Sequence, residues 1–444
     1  MSGIRNPKSH IIMYRKLLLV SVFSFFTKLF LPVGIAQPIG REKCVLELIP
    51  YASSCSFGLN ESVIWSAGIA NNTNKPLVGK IIIEIETYSG KNIAKQEKPA
   101  EINAKETRII CEFSFNDLPA GFYHIKVCFE DKKGLRIRER SGFAVAPETL
   151  LIASHAPDDL DSFWLRTRVE LSSVPLQEKL TLLSAYSSDS VNVYLVELHS
   201  LGNVRIRGYY AQPRNKIGLP AILHFQGYSS VMEPFGLRAD VAQFFINIRG
   251  HGNSRDDIDP GFPGYFITGI TDPENYIYRG AYADALRSVD FLAQRPEIDT
   301  ARIAVMGASQ GGALSFATAA LDKRIALCAS DVPFLSDFRN YFQIAHWPAN
   351  EVNTYCSMHF KSKEDIFKTL DYFDVSHLTP RITCPVFMGV GLYDDVCPPA
   401  INFAAYNNLS STDKNYLLYP KSGHALPAEQ YDMRMNWIRA RFGF

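Results

Sequence analysis

Short apolar runs dominate the chain, and their rhythm changes once. From residue 44 to 147, apolar and polar positions alternate over 63–70, 80–87, 107–115 and 122–130, separated by polar turns such as Asn71-Asn72-Thr73-Asn74 and Ser89-Gly90-Lys91. A period of two broken by regularly spaced turns is the pattern of half-buried strands, so this part is expected to be a small all-β sandwich. It carries no helical periodicity. Segments 107–115 and 122–130 read as a hairpin closed through 116–121, which sets Cys111 opposite Cys128 and marks the two as a disulfide pair.

Beyond Pro147 the pattern becomes a series of compact apolar runs, 205–211, 220–225, 243–248, 302–306, 325–330, 384–390 and 416–419, with helical or loop segments between most of them. Continuous rather than alternating apolar strands are buried on both faces. The arrangement therefore predicts a mostly parallel sheet covered by helices over 150–444. One helix is explicit: Tyr282, Leu286, Val289 and Leu292 recur at intervals of three or four, and Pro296 closes it. The long excursions 249–279 and 331–383 are expected to wall or cover a site at the carboxyl edge of the sheet.

The first 36 residues differ in kind. Arg5, Lys8, Arg15 and Lys16 precede apolar stretches at 17–26 and 29–35, which end in Gly34-Ile35-Ala36. A basic start, an apolar middle and small residues at the end form a signal-peptide profile, so 1–36 is expected to be cleaved and the chain exported to the periplasm or beyond. The near-span length of 17–35 leaves an uncleaved anchor as the alternative. No later apolar stretch approaches that length, and no membrane contact is expected after cleavage.

Composition narrows the partners. Hydrophobic residues make up 47% of the chain, enough for sizeable cores. Forty-six basic against forty-five acidic side chains leave no field to gather nucleic acid or an anionic membrane, and a neutral substrate fits better. The eight cysteines form no C-x-x-C pair and no H-E-x-x-H helix occurs, so no metal site is expected.

The chemistry is concentrated in Gly307-Ala308-Ser309-Gln310-Gly311, which follows the strand 302–306 and precedes a helix over 312–321. Strand, sharp turn and helix in that order are what a nucleophile elbow of the α/β-hydrolase kind requires. The serine is strained, its neighbours must be small, and the Gln310 N–H stands at a helix start where an oxyanion can be met. A serine hydroxyl needs a base and an orienting carboxylate, which follow it in the order acid, then histidine. Of His346, His359, His377 and His424, only His424 follows the last expected strand. Asp394 and Asp395 both open after the strand 384–390, Asp331 ends the strand before, and the pattern alone does not rank the first two. The loop after 220–225, Gln226-Gly227-Tyr228, offers the Tyr228 N–H as the second oxyanion donor. The Arg249-Gly250-His251-Gly252 turn reads as a tight turn after a strand.

These residues resemble the acetyl xylan esterase and cephalosporin-C deacetylase family, carbohydrate esterase family seven. The resemblance runs from about residue 157 to the end. It includes Pro157-Asp158-Asp159-Leu160-Asp161-Ser162-Phe163-Trp164, 307–312, Asp331-Val332-Pro333-Phe334, Tyr372-Phe373-Asp374, 391–399, Phe403-Ala404-Ala405-Tyr406-Asn407 and Gly423-His424. It implies a triad of Ser309, Asp394 and His424, with Asp394 at the family's position in G-L-x-D-x-x-C-P-P, and oxyanion donors at Tyr228 and Gln310. It also implies a serine esterase that removes acetyl groups from acetylated carbohydrate through an acyl-enzyme, with no cofactor, in a homo-oligomer with enclosed sites. The chain departs from the family in its leader and its added sandwich, expected to be immunoglobulin-like. It also has His251 where the family has glutamine and Ala425 where it has glutamate. The rival readings are a hydrolase of another small acyl ester or a peptide-like substrate, and a carbohydrate-binding protein that kept the scaffold without turnover. The sandwich itself reads as a spacer or packing domain.

Overall fold

The computed structural model describes residues 44–444; the expected leader at 1–36 lies outside them. Eight strands come first: β1 (Cys44–Pro50), β2 (Ser56–Phe57), β3 (Val63–Asn71), β4 (Leu77–Thr87), β5 (Asn92–Ile102), β6 (Thr107–Phe115), β7 (Gly121–Asp131) and β8 (Arg136–Val145). Alternation buries Val63, Trp65, Ala67 and Ile69 of β3, Ile81, Ile83 and Ile85 of β4, and Ile125, Val127 and Phe129 of β7 in one core. Two sheets enclose it, one in the order β1-β3-β6 and the other β2-β8-β7-β4-β5. The expected hairpin at 116–121 does not form. Strand β6 pairs with β3, whereas β7 pairs with β4 and β8, so the connection crosses from one sheet to the other. Cys111 and Cys128 are therefore separate thiols, and the expected disulfide is corrected.

The second part is built on β9 (Lys179–Leu182), β10 (Val191–His199), β11 (Arg205–Pro213), β12 (Leu219–Phe225), β13 (Ala242–Asn247), β14 (Ile298–Ala308), β15 (Ile325–Asp331), β16 (Val386–Gly391) and β17 (Lys414–Tyr419). They form a single sheet in the order β17-β16-β15-β14-β12-β13-β11-β10-β9. Strands β12 to β17 are mutually parallel, and β9 to β11 add an antiparallel margin. Successive residues of the central strands feed opposite cores. Leu223, Ile303, Val305 and Cys328 join the larger one with the helices Ile277–Ala293 and Gln310–Leu321. Ile222, Ala304, Met306 and Leu327 face the carboxyl-terminal helix Glu429–Phe442. Burial on both faces is why these strands read as unbroken apolar runs. Among the described residues no helix is long and apolar enough to cross a membrane.

Two features of this topology position a site. The chain leaves β12 toward β13 on one side and then crosses to β14 on the other, which opens a crevice at the carboxyl ends of β12 and β14. The sandwich, moreover, does not hang from a linker: Phe122 and Ala144 belong to the larger core of the second part, and the Phe122 ring lies 5.3 Å from that of Phe403.

Candidate active site

Ser309 sits at the carboxyl end of β14 as the residue before the helix Gln310–Leu321, with φ 60° and ψ −122°. A non-glycine residue in that region stores roughly 1–3 kcal/mol of strain and persists only where the surroundings enforce it. They do so by contact. A Cβ on Gly307 would lie 2.5 Å from the Gly311 carbonyl, one on Gly311 2.4 Å from the Phe225 carbonyl oxygen, and one on Gly312 2.6 Å from that of Asp331. All three neighbours therefore have to be glycine, as the elbow reading requires. Gln310 is the first residue of the helix, so its N–H has no partner within the helix and lies at the positive end of the helix dipole.

The acid and the histidine meet. Asp394, fully buried, lies after β16 and His424 after β17. His424 Nδ1 is 2.9 Å from Asp394 Oδ2 and 3.1 Å from Oδ1. A carboxylate only accepts, so Nδ1 carries the proton and Nε2 is left as the basic nitrogen. The Asp394 carboxylate is held in turn by the amides of Val396 and Cys397, which donate to Oδ1 at 2.9 and 2.8 Å. Ser309 and His424 both line a cavity of about 500 Å³, and Ser309 Oγ is 3.9 Å from Cys397 Sγ beside the acid loop. Burial, with the Asp394 charge adding, pushes the Cys397 thiol well up, so it stays protonated.

The other candidates are occupied elsewhere. Asp331 is buried, with Oδ1 accepting from Gly389 N at 2.9 Å and Gln430 Nε2 at 2.7 Å, and Oδ2 lying 3.0 Å from Arg434 Nε. It ties the sheet to the last helix. Asp395 is exposed, as are His346 and His359. His377 is buried and bonded through both ring nitrogens, to the Asp371 carbonyl and the His155 amide.

Tyr228 lines the same cavity and follows β12, as expected for an oxyanion loop. Its ring is clamped: the hydroxyl donates to Glu351 Oε1 at 2.8 Å and accepts from Phe266 N at 3.1 Å. Both long excursions contribute. Phe262 and Phe266 of the first brace Tyr228, and Val332 and Trp347 of the second face the cavity. Trp347 was not singled out by the sequence, where a single tryptophan within the excursion 331–383 carries no periodic signal. It is 47% exposed, and together with Phe235 and Val231 it gives the cavity an apolar rim.

The Arg249 turn braces the site rather than lining it. Buried Arg249 makes a two-pronged ion pair with Asp284, and Gly280 is required beside it because any Cβ there would fall within 2.1 Å of the guanidinium. His251 Nε2 lies 3.1 Å from Gln310 Nε2, and Gln310 Oε1 accepts from the Tyr278 hydroxyl at 2.8 Å. The amide nitrogen donates, so His251 accepts through Nε2 and keeps its proton on Nδ1, which faces the Arg249 carbonyl at 3.3 Å. Where the resembling family has glutamine, this imidazole fixes the side chain of the residue after the nucleophile.

Burial pushes His251 down to about 4 and His224 down to about 3. In the unfolded chain both protonate near pH 6.5, whereas in the folded chain they resist. Stability present above pH 6.5 is therefore lost as the pH falls toward these lowered values, by at most about 1.4 kcal/mol per pH unit for each histidine. Replacement His251→Gln should leave turnover intact and flatten the decline in urea midpoint between pH 6.5 and 4. An unchanged slope would contradict the buried neutral state.

Comparison with known proteins shows the family. The model of the family described as acetyl xylan esterase (AXE1) matches residues 149–441. The chain belongs to that family. As a member it is a carboxylic ester hydrolase that removes acetyl groups, and the α/β-hydrolase fold with a sheet-rich region before it is as the sequence implied. It is 27% identical over 376 residues to the acetyl esterase Axe7A of Xylanibacter ruminicola, a match covering 80% of this chain and 82% of the relative. The acetyl xylan esterase of Paenibacillus sp. R4 matches with a TM-score of 0.63 and 31% identity, over 66% of this chain and 98% of its own. Acetyl xylan esterase 1 of Thermoanaerobacterium sp. JW/SL YS485 matches with 0.62 and 31%, over 66% and 96%.

Proposed function

We propose that Ser309, His424 and Asp394 form the triad of this esterase, that the N–H groups of Tyr228 and Gln310 form its oxyanion hole, and that its substrates are acetylated xylan fragments or similar acetylated oligosaccharides. The observation that carries the reading is the buried Asp394 carboxylate on His424 Nδ1, with His424 and Ser309 facing one cavity. His424 Nε2 takes the proton from Ser309 as Oγ bonds to the acetyl carbon. The carbonyl electrons move onto the oxygen, where the two amides meet them. Collapse breaks the bond to the sugar oxygen, which leaves with the proton from His424. Water then attacks the acetyl-enzyme by the same route and releases acetate. The chain's own residues suffice for every step.

A volume of about 500 Å³ lies in the range of small-molecule sites, roughly 300–1,000 Å³, and suits a short acetylated sugar rather than a folded polymer. The near-neutral charge suits a neutral carbohydrate. The test is a panel of acetylated xylo-oligosaccharides, the corresponding butyryl esters and a peptide amide. Turnover should favour the acetyl sugars; preference for the longer acyl chain or the amide would replace this substrate, and absence of all turnover would favour a sugar-binding role. We also infer from the leader profile that the protein acts outside the cytoplasm. Amino-terminal sequencing of exported protein should find 1–36 removed.

A further inference from the structure

The loops that carry the acid and the histidine do not stand alone. Tyr393 N donates to the Ser422 carbonyl at 2.9 Å, so the segments 391–397 and 420–424 touch each other, and both also touch the sandwich. Tyr88, which follows β4 in a tight turn, donates its hydroxyl to the backbone carbonyl of Asp394. Its own N–H is fixed to the Phe122 carbonyl at 2.9 Å. His124 of β7 lies with Nε2 2.9 Å from the Leu392 carbonyl, and its ring stacks on Tyr393 at 3.9 Å and 8°. Gly142 of β8 donates to the Pro420 carbonyl at 2.6 Å, and a Cβ there would lie 2.5 Å from Leu392 Cβ. Lys421 pairs with Glu139 at 2.8 Å. Four residues from three strands or turns of the sandwich, Tyr88, His124, Glu139 and Gly142, thus contact the two loops that hold Asp394 and His424.

We propose that the sandwich is a working part of the active site and that Tyr88 is its positioning residue, holding the backbone of Asp394 so that the carboxylate stays aligned on His424. This rests on the assignment of Asp394 as the triad acid. The side chain of Asp394 is fixed by the Val396 and Cys397 amides, which belong to its own loop; a shift of that loop would carry carboxylate and amides together. Only a bond from outside the loop opposes such a shift, and the Tyr88 hydroxyl supplies it at the acid itself. Burial, reinforced by the charges of Asp394 and Asp395, pushes the Tyr88 hydroxyl far up, so it remains a donor throughout the working range. Misplacement of a catalytic group by a fraction of an ångström to an ångström is costly because the proton transfers demand alignment.

The test uses the full chain and a chromogenic acetate. Tyr88→Phe removes the hydroxyl alone and should lower kcat about tenfold, with KM and the melting midpoint close to the parent values. Tyr123→Phe is the control, since Tyr123 donates to the Pro119 carbonyl at 2.6 Å inside the sandwich, away from the catalytic loops; its kcat should equal the parent's. In an Asp394→Asn background, Tyr88→Phe should add no further loss, because the two act through one group. An unchanged kcat in Tyr88→Phe, an equal loss in Tyr123→Phe, or full additivity with Asp394→Asn would each overturn the proposal. Should Asp394→Asn itself keep parental turnover, the triad assignment fails first; a collapse there with Tyr88→Phe unaffected defeats this inference alone.

Discussion

Ser309→Ala should reduce acetate release from an acetylated xylo-oligosaccharide by about a millionfold, the scale on which serine hydrolases lose turnover without their nucleophile. The elbow makes this variant a clean one. The strained φ of 60° at Ser309 is enforced by backbone packing around Gly307, Gly311 and Gly312, and alanine meets the same packing with the same Cβ. Among the described residues the Oγ makes no strong hydrogen bond, meeting only Cys397 Sγ at 3.9 Å. The melting midpoint should therefore stay at the parental value while turnover disappears. Acetate release persisting at the parental rate would show that another group attacks the ester.

Asp394→Asn should cost about ten-thousandfold in kcat by imposing the wrong histidine tautomer. The local bonding decides the orientation of the new amide. Oδ1 accepts from the Val396 and Cys397 amides, so an asparagine oxygen is pinned there and its NH2 group faces His424 Nδ1. Facing a donor, Nδ1 accepts, and the imidazole proton moves to Nε2, the nitrogen that must take the proton of Ser309. Binding should survive, with KM changed far less than kcat. A matching collapse of stability instead would mean that Asp394 holds the fold rather than the histidine.

Local signals made much of this site legible, and non-local ones hid the rest. The glycines at 307, 311 and 312 could be read in advance because close backbone approach leaves no room for any Cβ. His424 was singled out by its place after the last strand. The pattern alone left Asp394 and Asp395 unranked because adjacent residues share it, and the choice of Asp394 came from the family resemblance; burial separates the two, the first fully enclosed and the second exposed. The Cys111–Cys128 pairing failed because β6 and β7, consecutive in the chain, belong to different sheets, a choice made by core packing rather than by the turn between them. Strand β5 was missed because its sequence, Asn92–Ile102, faces solvent at the edge of its sheet and is largely polar. The seam between sandwich and catalytic loops was invisible for another reason. Tyr88 and Asp394 are separated by 306 positions and His124 and Leu392 by 268, and no periodicity along the chain records such a contact.

The central claim is that the hydroxyl at 309 is activated by the imidazole at 424, and a serine-directed fluorophosphonate tests it most directly. After brief exposure, peptide mapping of the parent protein should find the adduct on Ser309 and nowhere else, and the His424→Ala variant should label slower by orders of magnitude. Rapid labelling at a different serine, or equal labelling of Ser309 without His424, would contradict the account.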